Sequence, residues 1–180
     1  MTTDIMARPQ ARTVLLDVLL FGIVGTIPAL SHLFAVPLYE FEPMRVSLFA
    51  AVLMSGRRNS YVLAVGMPLF AALATGHPMP PKMFLIQFEL LANVWILRQV
   101  LARGRGFAPA AILSVVLAKS LYYCGKFLLL KLGWMSGPLL ATDWTHQLAV
   151  LALLAGIGHV VWKRRPDQRT PANASRENDA

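Results

Sequence analysis

The sequence predicts an all-α polytopic membrane protein, a bundle of six transmembrane helices with both termini in the cytoplasm. Composition is the first observation: 56% of the 180 residues are hydrophobic and 14% are charged, whereas about a quarter of the residues in a soluble domain carry charge. The second is that the apolar residues form six runs separated by short polar breaks. The third is that most lysines and arginines fall in alternate breaks, the pattern of the positive-inside rule.

The apolar runs divide the chain into three regions. Residues 1–12 are a cytoplasmic N-terminal segment, residues 13–163 are the membrane domain, and residues 164–180 are a polar cytoplasmic tail that we expect to be disordered. The six runs of the membrane domain are residues 13–36, 43–55, 60–75, 81–102, 107–130 and 144–162. A chain of this length holds one such bundle and leaves no room for a second, soluble domain.

The second run is unusually short. In "EFEPMRVSLFAAVLMSGRRNS", residues 40–60, about a dozen apolar residues are too few to cross a hydrocarbon core of ~30 Å at ~1.5 Å per residue. A re-entrant hairpin would place Arg57 and Arg58 near the bilayer core, where each arginine costs at least ~2.5 kcal/mol. We therefore interpret the run as a short crossing that is tilted, covered by neighbours, or matched by a thinner bilayer.

The basic residues support this topology. With six crossings, twelve of the seventeen lysines and arginines lie on the cytoplasmic side, and five lie at outer ends or inside spans: Arg45, Lys82, Lys119, Lys126 and Lys131. The net charge of +8 is spread over breaks between apolar runs instead of a polar domain. It therefore indicates topology, and we expect no nucleic-acid partner.

Small residues line one stripe of the first run, at Gly22, Gly25 and Ala29. Such stripes allow helices to approach closely. Packing inside one bundle and docking to another membrane subunit both explain the pattern.

Ionisable residues at membrane depth are the strongest functional signal, because their burial requires partners or a wet cavity. Glu89 lies about 12 Å into the fourth run, with Asn93 one helical turn further on. On the fifth run, one helical face carries Lys119, Tyr122, Tyr123 and Lys126. Lys119 is about 16 Å deep, so it reaches a depth similar to that of Glu89 on the preceding antiparallel helix.

Two interpretations of this set remain open. Glu89 and Lys119 could form a structural ion pair between two helices, and Lys126 alone could extend to the outer interface. A polar, partly aromatic cavity would explain the whole set, because ring-stacking residues and a few oriented charges suit a small polar solute. The outer loops add further candidates, and from these we place Tyr39, Arg45, His77 and Trp134 in the binding set. The other loop candidates are Glu40, Glu42, Lys82, Asp143, Trp144 and His146.

Several of these features resemble a known family. A short second span after a proline, a basic inner turn, a third span ending in "ALATGHPMPP" and a fourth containing "LIQFELLAN" are similar to the substrate-binding S-components of energy-coupling factor (ECF) vitamin transporters. The similarity is clearest over residues 40–102. It implies a six-helix protein that captures a micronutrient near the outer face and couples to a transmembrane T-component and two cytoplasmic ATPases. In the family an Ala-x-x-x-Ala motif on the first span contacts the T-component, and the nearest counterparts here are Ala7, Ala11, Gly22, Gly25 and Ala29.

We therefore expect a solute-capture subunit in a bacterial inner membrane, with a small-molecule solute, the lipid bilayer, a T-component and ATPases as partners. The sequence contains no Gly-x-x-x-x-Gly-Lys-Ser/Thr phosphate loop, so ATP hydrolysis by that route would need a partner. His-Glu-x-x-His and Gly-x-Ser-x-Gly are also missing, and we expect no enzyme, no cofactor and no metal. The alternative is a non-transporting structural or assembly subunit of a membrane complex.

Overall fold

A computed structural model describes residues 7–35, 38–55, 57–140 and 144–164. Within these residues the protein is all-helical and contains no strand. The six α-helices are α1 (Ala7–Phe34), α2 (Pro43–Met54), α3 (Arg57–Thr75), α4 (Pro80–Ala102), α5 (Phe107–Lys131) and α6 (Trp144–Lys163). A short 3-10 helix, Leu38–Phe41, precedes α2. The all-α class is confirmed, and each predicted apolar run corresponds to one helix.

Two predicted regional boundaries need comment. Helix α1 begins at Ala7, so it includes half of the segment that was predicted to precede the membrane domain. The predicted polar tail falls almost entirely on residues 165–180, outside the described part of the chain.

The chain is a membrane protein by the length and surface of its helices. Among the described residues, three helical segments are long and apolar enough to cross a bilayer: Pro80–Ala102, Phe107–Lys131 and Thr145–Lys163. Large apolar side chains also point away from the bundle, with Leu15, Leu33, Leu73 and Phe84 each more than 60% exposed. A soluble monomer rarely exposes so much apolar surface, whereas lipid chains accommodate it.

Helix α2 lies inside the bundle. It has only 12 residues, about 18 Å of helix, and it packs against α1, α3, α4 and α6. Leu48 and Phe49 are fully buried, and Val46 and Met54 are its exposed residues. Neighbouring helices therefore cover this short segment. Cover by neighbours was one of the three ways, with tilt and a thinner bilayer, in which a run of this length could cross.

The part of the core where α2 meets the start of α5 and the end of α6 is aromatic. Phe107 of α5 is completely buried and lies 6.0 Å from Phe49, ring centre to ring centre, in an edge-to-face contact. A second aromatic neighbour of Phe107 is Trp162 of α6, with the two ring centres 5.9 Å apart. A methyl group on Gly158 of α6 would overlap the Phe107 ring. Glycine at this position therefore lets α6 approach α5 closely.

Polar contacts join α1, α3 and α4 at the end of the bundle where α2 leads into α3. Asn59 donates a hydrogen bond to Asp17 Oδ1 of α1 at 2.6 Å and another to Ser55 Oγ at 3.2 Å. Arg98 of α4 donates to Ser60 Oγ at 2.8 Å. These side-chain bonds fix the turn between α2 and α3 against its neighbours.

The small residues of α1 serve different roles. A methyl group on Gly25 would lie 2.8 Å from the ring of Phe70, so Gly25 packs against α3 inside the bundle. Gly22 and Ala11 are exposed, and a methyl group added to Gly22 would have nothing within 4 Å of it. The side chains of Ala7 and Ala29 lie outside the described part of the structure. Packing thus accounts for Gly25, and docking remains a prediction for the exposed positions.

Candidate functional site

A cavity of about 1060 Å³ lies at one end of the bundle. It occurs where α1, α3 and α5 end and where α2 and α4 begin, and we call this the cavity end. Nine of the ten predicted binding residues line the cavity: Tyr39, Arg45, His77, Glu89, Lys119, Tyr122, Tyr123, Lys126 and Trp134. Its size is at the upper limit of the range usual for small-molecule sites.

The shortness of α2 makes room for this cavity. Arg45, in the first turn of α2, forms an ion pair with Glu89, which is nine residues beyond the start of α4. Because Arg45 itself lies two residues beyond the start of α2, pairing at the same level places the start of α2 about 10 Å below the start of α4. Glu42, which precedes α2 with a φ of 50°, turns the chain into the helix at this depth. The space above the first turn of α2 is the cavity.

Four charged side chains form the floor of the cavity, and we call them the charge cluster: Glu42, Arg45, Glu89 and Lys119. The Arg45 guanidinium donates to Glu42 through Nη1 and to Glu89 through Nη2. Lys119 Nζ lies 2.5 Å from Glu42 Oε1 and 3.6 Å from Glu89 Oε1. The cluster thus joins α2, α4 and α5, and its two cations balance its two carboxylates.

The charges of the cluster are largely removed from water. The side chains of Arg45 and Glu89 are each 6% exposed, and that of Lys119 is 19% exposed. Charges removed from water to this extent require partners. A planar guanidinium that reaches two carboxylates supplies partners in a fixed geometry.

Aromatic rings lie beside the cluster on α5. The Lys119 ammonium is 5.6 Å from the centre of the Tyr122 ring and 6.0 Å from that of Tyr123, both within cation–π range. The two rings contact each other edge to face at 5.5 Å. The Tyr123 hydroxyl accepts a hydrogen bond from Gln147 of α6 at 3.2 Å. These contacts orient one wall of the cavity.

Lys126 binds the chain that follows α5. It is buried, and its Nζ donates to the carbonyl oxygens of Pro138 and Leu139 at 2.7 and 2.8 Å. One interpretation of the sequence was that Lys126 extends alone to the outer interface, but these two hydrogen bonds hold it within the protein. Lys126 instead holds the segment after α5 against the cavity end of the bundle.

Two features of the fourth helix were not expected from the sequence. Asn93 is fully buried and does not line the cavity, because it lies one turn beyond Glu89 in the packed core. Its amide nitrogen and oxygen have no hydrogen-bond partner among the described residues. The expected pair of Glu89 and Lys119 exists, but Arg45 is the principal partner of Glu89.

The remaining predicted residues lie nearer the surface. Tyr39 is 65% exposed and Trp134 is 69% exposed, and His77 is also exposed in the turn between α3 and α4. We call this part of the cavity its mouth. Its side chains can contact a solute without the packing constraints that hold the floor.

Two charged residues of the cavity lining, Glu42 and Lys82, were outer-loop candidates that we did not place in the predicted binding set. The sequence does contain a signal for each. Glu42 stands three residues before Arg45, a spacing that brings side chains together at the start of a helix. Lys82 precedes Glu89 by seven residues and therefore shares its helical face.

Comparisons of the chain with models of protein families, with curated proteins and with solved structures found no match. The chemistry of the site must therefore be argued from its own residues. Among the described residues, no three His, Cys, Asp or Glu side chains are grouped to hold a metal ion. The cavity offers carboxylates, cations and aromatic rings, which together suit a small solute with a ring and several polar groups.

Proposed function

We propose that this protein is the substrate-capture subunit of an ECF-type uptake transporter for a vitamin or a related small micronutrient. One observation carries the proposal: a cavity of about 1060 Å³ whose floor is a cluster of four charges, two of them buried, and whose walls carry aromatic rings. Glu42 and Glu89 would accept hydrogen bonds from the solute, and a tyrosine ring would stack on it. The family resemblance of residues 40–102 supports the same class.

The proposed topology has six crossings, with both termini in the cytoplasm of a bacterial cell and the cavity facing outward. The basic residues support it, because Arg57, Arg58, Arg103 and Arg105 lie at the end of the bundle opposite the cavity. Helices α1, α2 and α3 would then cross the membrane together with the three longer apolar segments. The cavity would receive solute from outside the inner membrane.

Uphill uptake would require an energy source outside this chain, since the sequence contains no phosphate-binding loop of the Walker type. We propose a transmembrane T-component and cytoplasmic ATPases as partners. Helix α1 offers a surface for the first of these, because Leu15, Val18 and Leu19 are all more than half exposed beside the exposed Gly22.

Native mass spectrometry of the detergent-purified protein tests the proposal, followed by thermal shifts with vitamins, their precursors and related heterocycles. We expect one bound molecule per chain, lost in both Glu89→Gln and Lys119→Met. Lys131→Met is the matched control, since Lys131 is an exposed lysine of α5 that does not line the cavity. An empty protein that no compound stabilises would overturn the proposal.

The second candidate function is a structural or assembly subunit, and the mutual neutralisation of the charge cluster favours it. In that role the cluster would only join α2, α4 and α5. The Glu89→Gln, Arg45→Met double variant should then assemble into its membrane complex, and the complex should function almost normally. A capture subunit predicts the opposite, because restoring charge balance does not restore the groups that contact the solute.

A further inference from the structure

The positive charges of the cavity are unevenly distributed along its depth. The charge cluster at the floor has a formal charge of zero. Lys82 and Lys126 line the same cavity, and the described lining contains no acidic side chain besides those of the cluster. Among the described residues, neither lysine has a carboxylate partner. The upper part of the cavity therefore carries two positive charges that the described side chains do not balance.

These two lysines lie at similar heights on adjacent helices. A methyl group on Gly125 of α5 would lie 2.6 Å from Leu85 Cδ1 of α4, so the two helices are in close contact there. Lys82 lies one turn before Leu85, and Lys126 directly follows Gly125. The contact between Gly125 and Leu85 therefore places the like charges of Lys82 and Lys126 on neighbouring turns of α4 and α5. An anion between Lys82 and Lys126 would relieve this repulsion.

We propose that the solute carries a carboxylate or phosphate group that binds between Lys82 and Lys126, while its uncharged polar part faces the charge cluster. This inference rests on the proposed function. An ammonium group has three donors, and Lys126 uses two of them for Pro138 and Leu139. The third is the donor for the anion. Lys119 is less suited to this role, because Glu42 already lies 2.5 Å from its Nζ.

The bound solute would also stabilise the cavity mouth. Lys126 would contact the anion and the carbonyl groups of the chain after α5 at the same time. Trp134 lies in that stretch and lines the cavity. Binding an anion would therefore strengthen the contact between α5 and the segment that covers the cavity.

Matched pairs of compounds test the inference on the purified full-length protein. The probes are nicotinate with nicotinamide, biotin with biotinamide, and pyridoxine phosphate with pyridoxine. The first two pairs report on a carboxylate and the third on a phosphate. Thermal shift and calorimetric titration give the affinity of each, and any molecule that co-purifies is extracted and identified by mass spectrometry.

In the unaltered protein we expect at least one anionic probe to bind about tenfold tighter than its neutral counterpart, which corresponds to about 1.4 kcal/mol. Lys82→Gln should remove most of this preference, and Lys82→Glu should reverse it. Lys131→Gln should leave it unchanged. Lys82 is exposed, so its substitution leaves the packed core and the Lys126 contacts in place.

Two results would overturn the inference in distinguishable ways. If a neutral or cationic molecule co-purifies, or if Lys82→Gln weakens the acid and the amide equally, the solute has no anionic group at this position, and the proposed capture function still stands. If the protein is empty and binds no probe, the capture function fails together with the inference.

Discussion

Arg45 of α2 and Glu89 of α4 form a buried ion pair at the floor of the cavity, with each side chain only 6% exposed. The two residues are 44 positions apart in sequence. Their pairing places the first turn of α2, the shortest of the described α-helices, beside the middle of α4, which is almost twice as long. This contact therefore marks the depth of the cavity floor and positions the groups that a solute would meet.

Removing the guanidinium should destabilise the protein strongly. Arg45→Met leaves the buried Glu89 and the partly buried Glu42 with Lys119 as their remaining partner in the cluster. Breaking a buried pair in this way costs about 3–5 kcal/mol. The double variant Arg45→Met, Glu89→Gln keeps Glu42 with Lys119 and should lose less stability than the sum of the two single changes. Unfolding in detergent measures all three variants, and strictly additive losses would contradict the pairing.

Gly158→Ala should lower stability by about 1–3 kcal/mol, because the added methyl group would overlap the ring of Phe107. Gly156→Ala is the matched control on the same helix, since nothing lies within 4 Å of its added methyl group. The control should be neutral or slightly stabilising, because alanine favours a helix more than glycine does. Equal melting temperatures for the two variants would show that α6 does not pack closely on Phe107.

Asn93→Leu should preserve solute binding and maintain or raise stability. Asn93 is fully buried outside the cavity lining, and its amide atoms lack a hydrogen-bond partner among the described residues. Replacing such a group with an apolar side chain of similar size removes a desolvation cost of about 1–3 kcal/mol. Weaker solute binding with normal stability would instead place Asn93 in the binding site.

Lys126→Met should release the chain that follows α5. The substitution removes two charge-assisted hydrogen bonds to Pro138 and Leu139, a type of contact worth about 1.5–3 kcal/mol each. Hydrogen–deuterium exchange over residues 132–140 should become faster. Lys131→Met is the control and should not change it, because the Lys131 ammonium instead lies over the ring of Phe127. Unchanged exchange in Lys126→Met would show that other contacts hold this segment.

Cysteine labelling tests the proposed topology. Cys124 is the single native cysteine and is exposed, so Cys124→Ala provides the background. In intact cells an impermeant maleimide should label Trp134→Cys at the cavity end. It should label Arg58→Cys at the opposite end only after the membrane is permeabilised. Labelling of both positions in intact cells would rule out a crossing by α3.

Patterns of composition and spacing were sufficient for the helices and for much of the site. Six apolar runs predicted six helices, and a shared face of α5 predicted that Lys119, Tyr122, Tyr123 and Lys126 act together. These are local properties, because helical periodicity alone determines which side chains share a face. Buried charge can also be predicted from the sequence, since an ionisable group inside an apolar run needs a partner.

The identity of the partners could not be predicted in the same way. By depth alone the sequence matches Glu89 with Lys119, because Arg45 falls in an outer loop. The low start of α2 is what makes Arg45 the main partner of Glu89. The same packing buries Asn93 away from the cavity although it lies one turn from Glu89. Lys126 likewise depends on the path of a loop, because its two acceptors are backbone carbonyls that no side-chain pattern identifies.

The sequence by itself determined that this is a helical membrane protein with charged and aromatic residues buried at one end of its helices. Only the tertiary structure decided that a 12-residue helix lies inside the bundle, begins low, and leaves a cavity above a balanced cluster of four charges. The physical reason is that amphipathicity and charge burial are encoded over a few turns of one helix. The height at which helices pack is set by contacts among all of them at once.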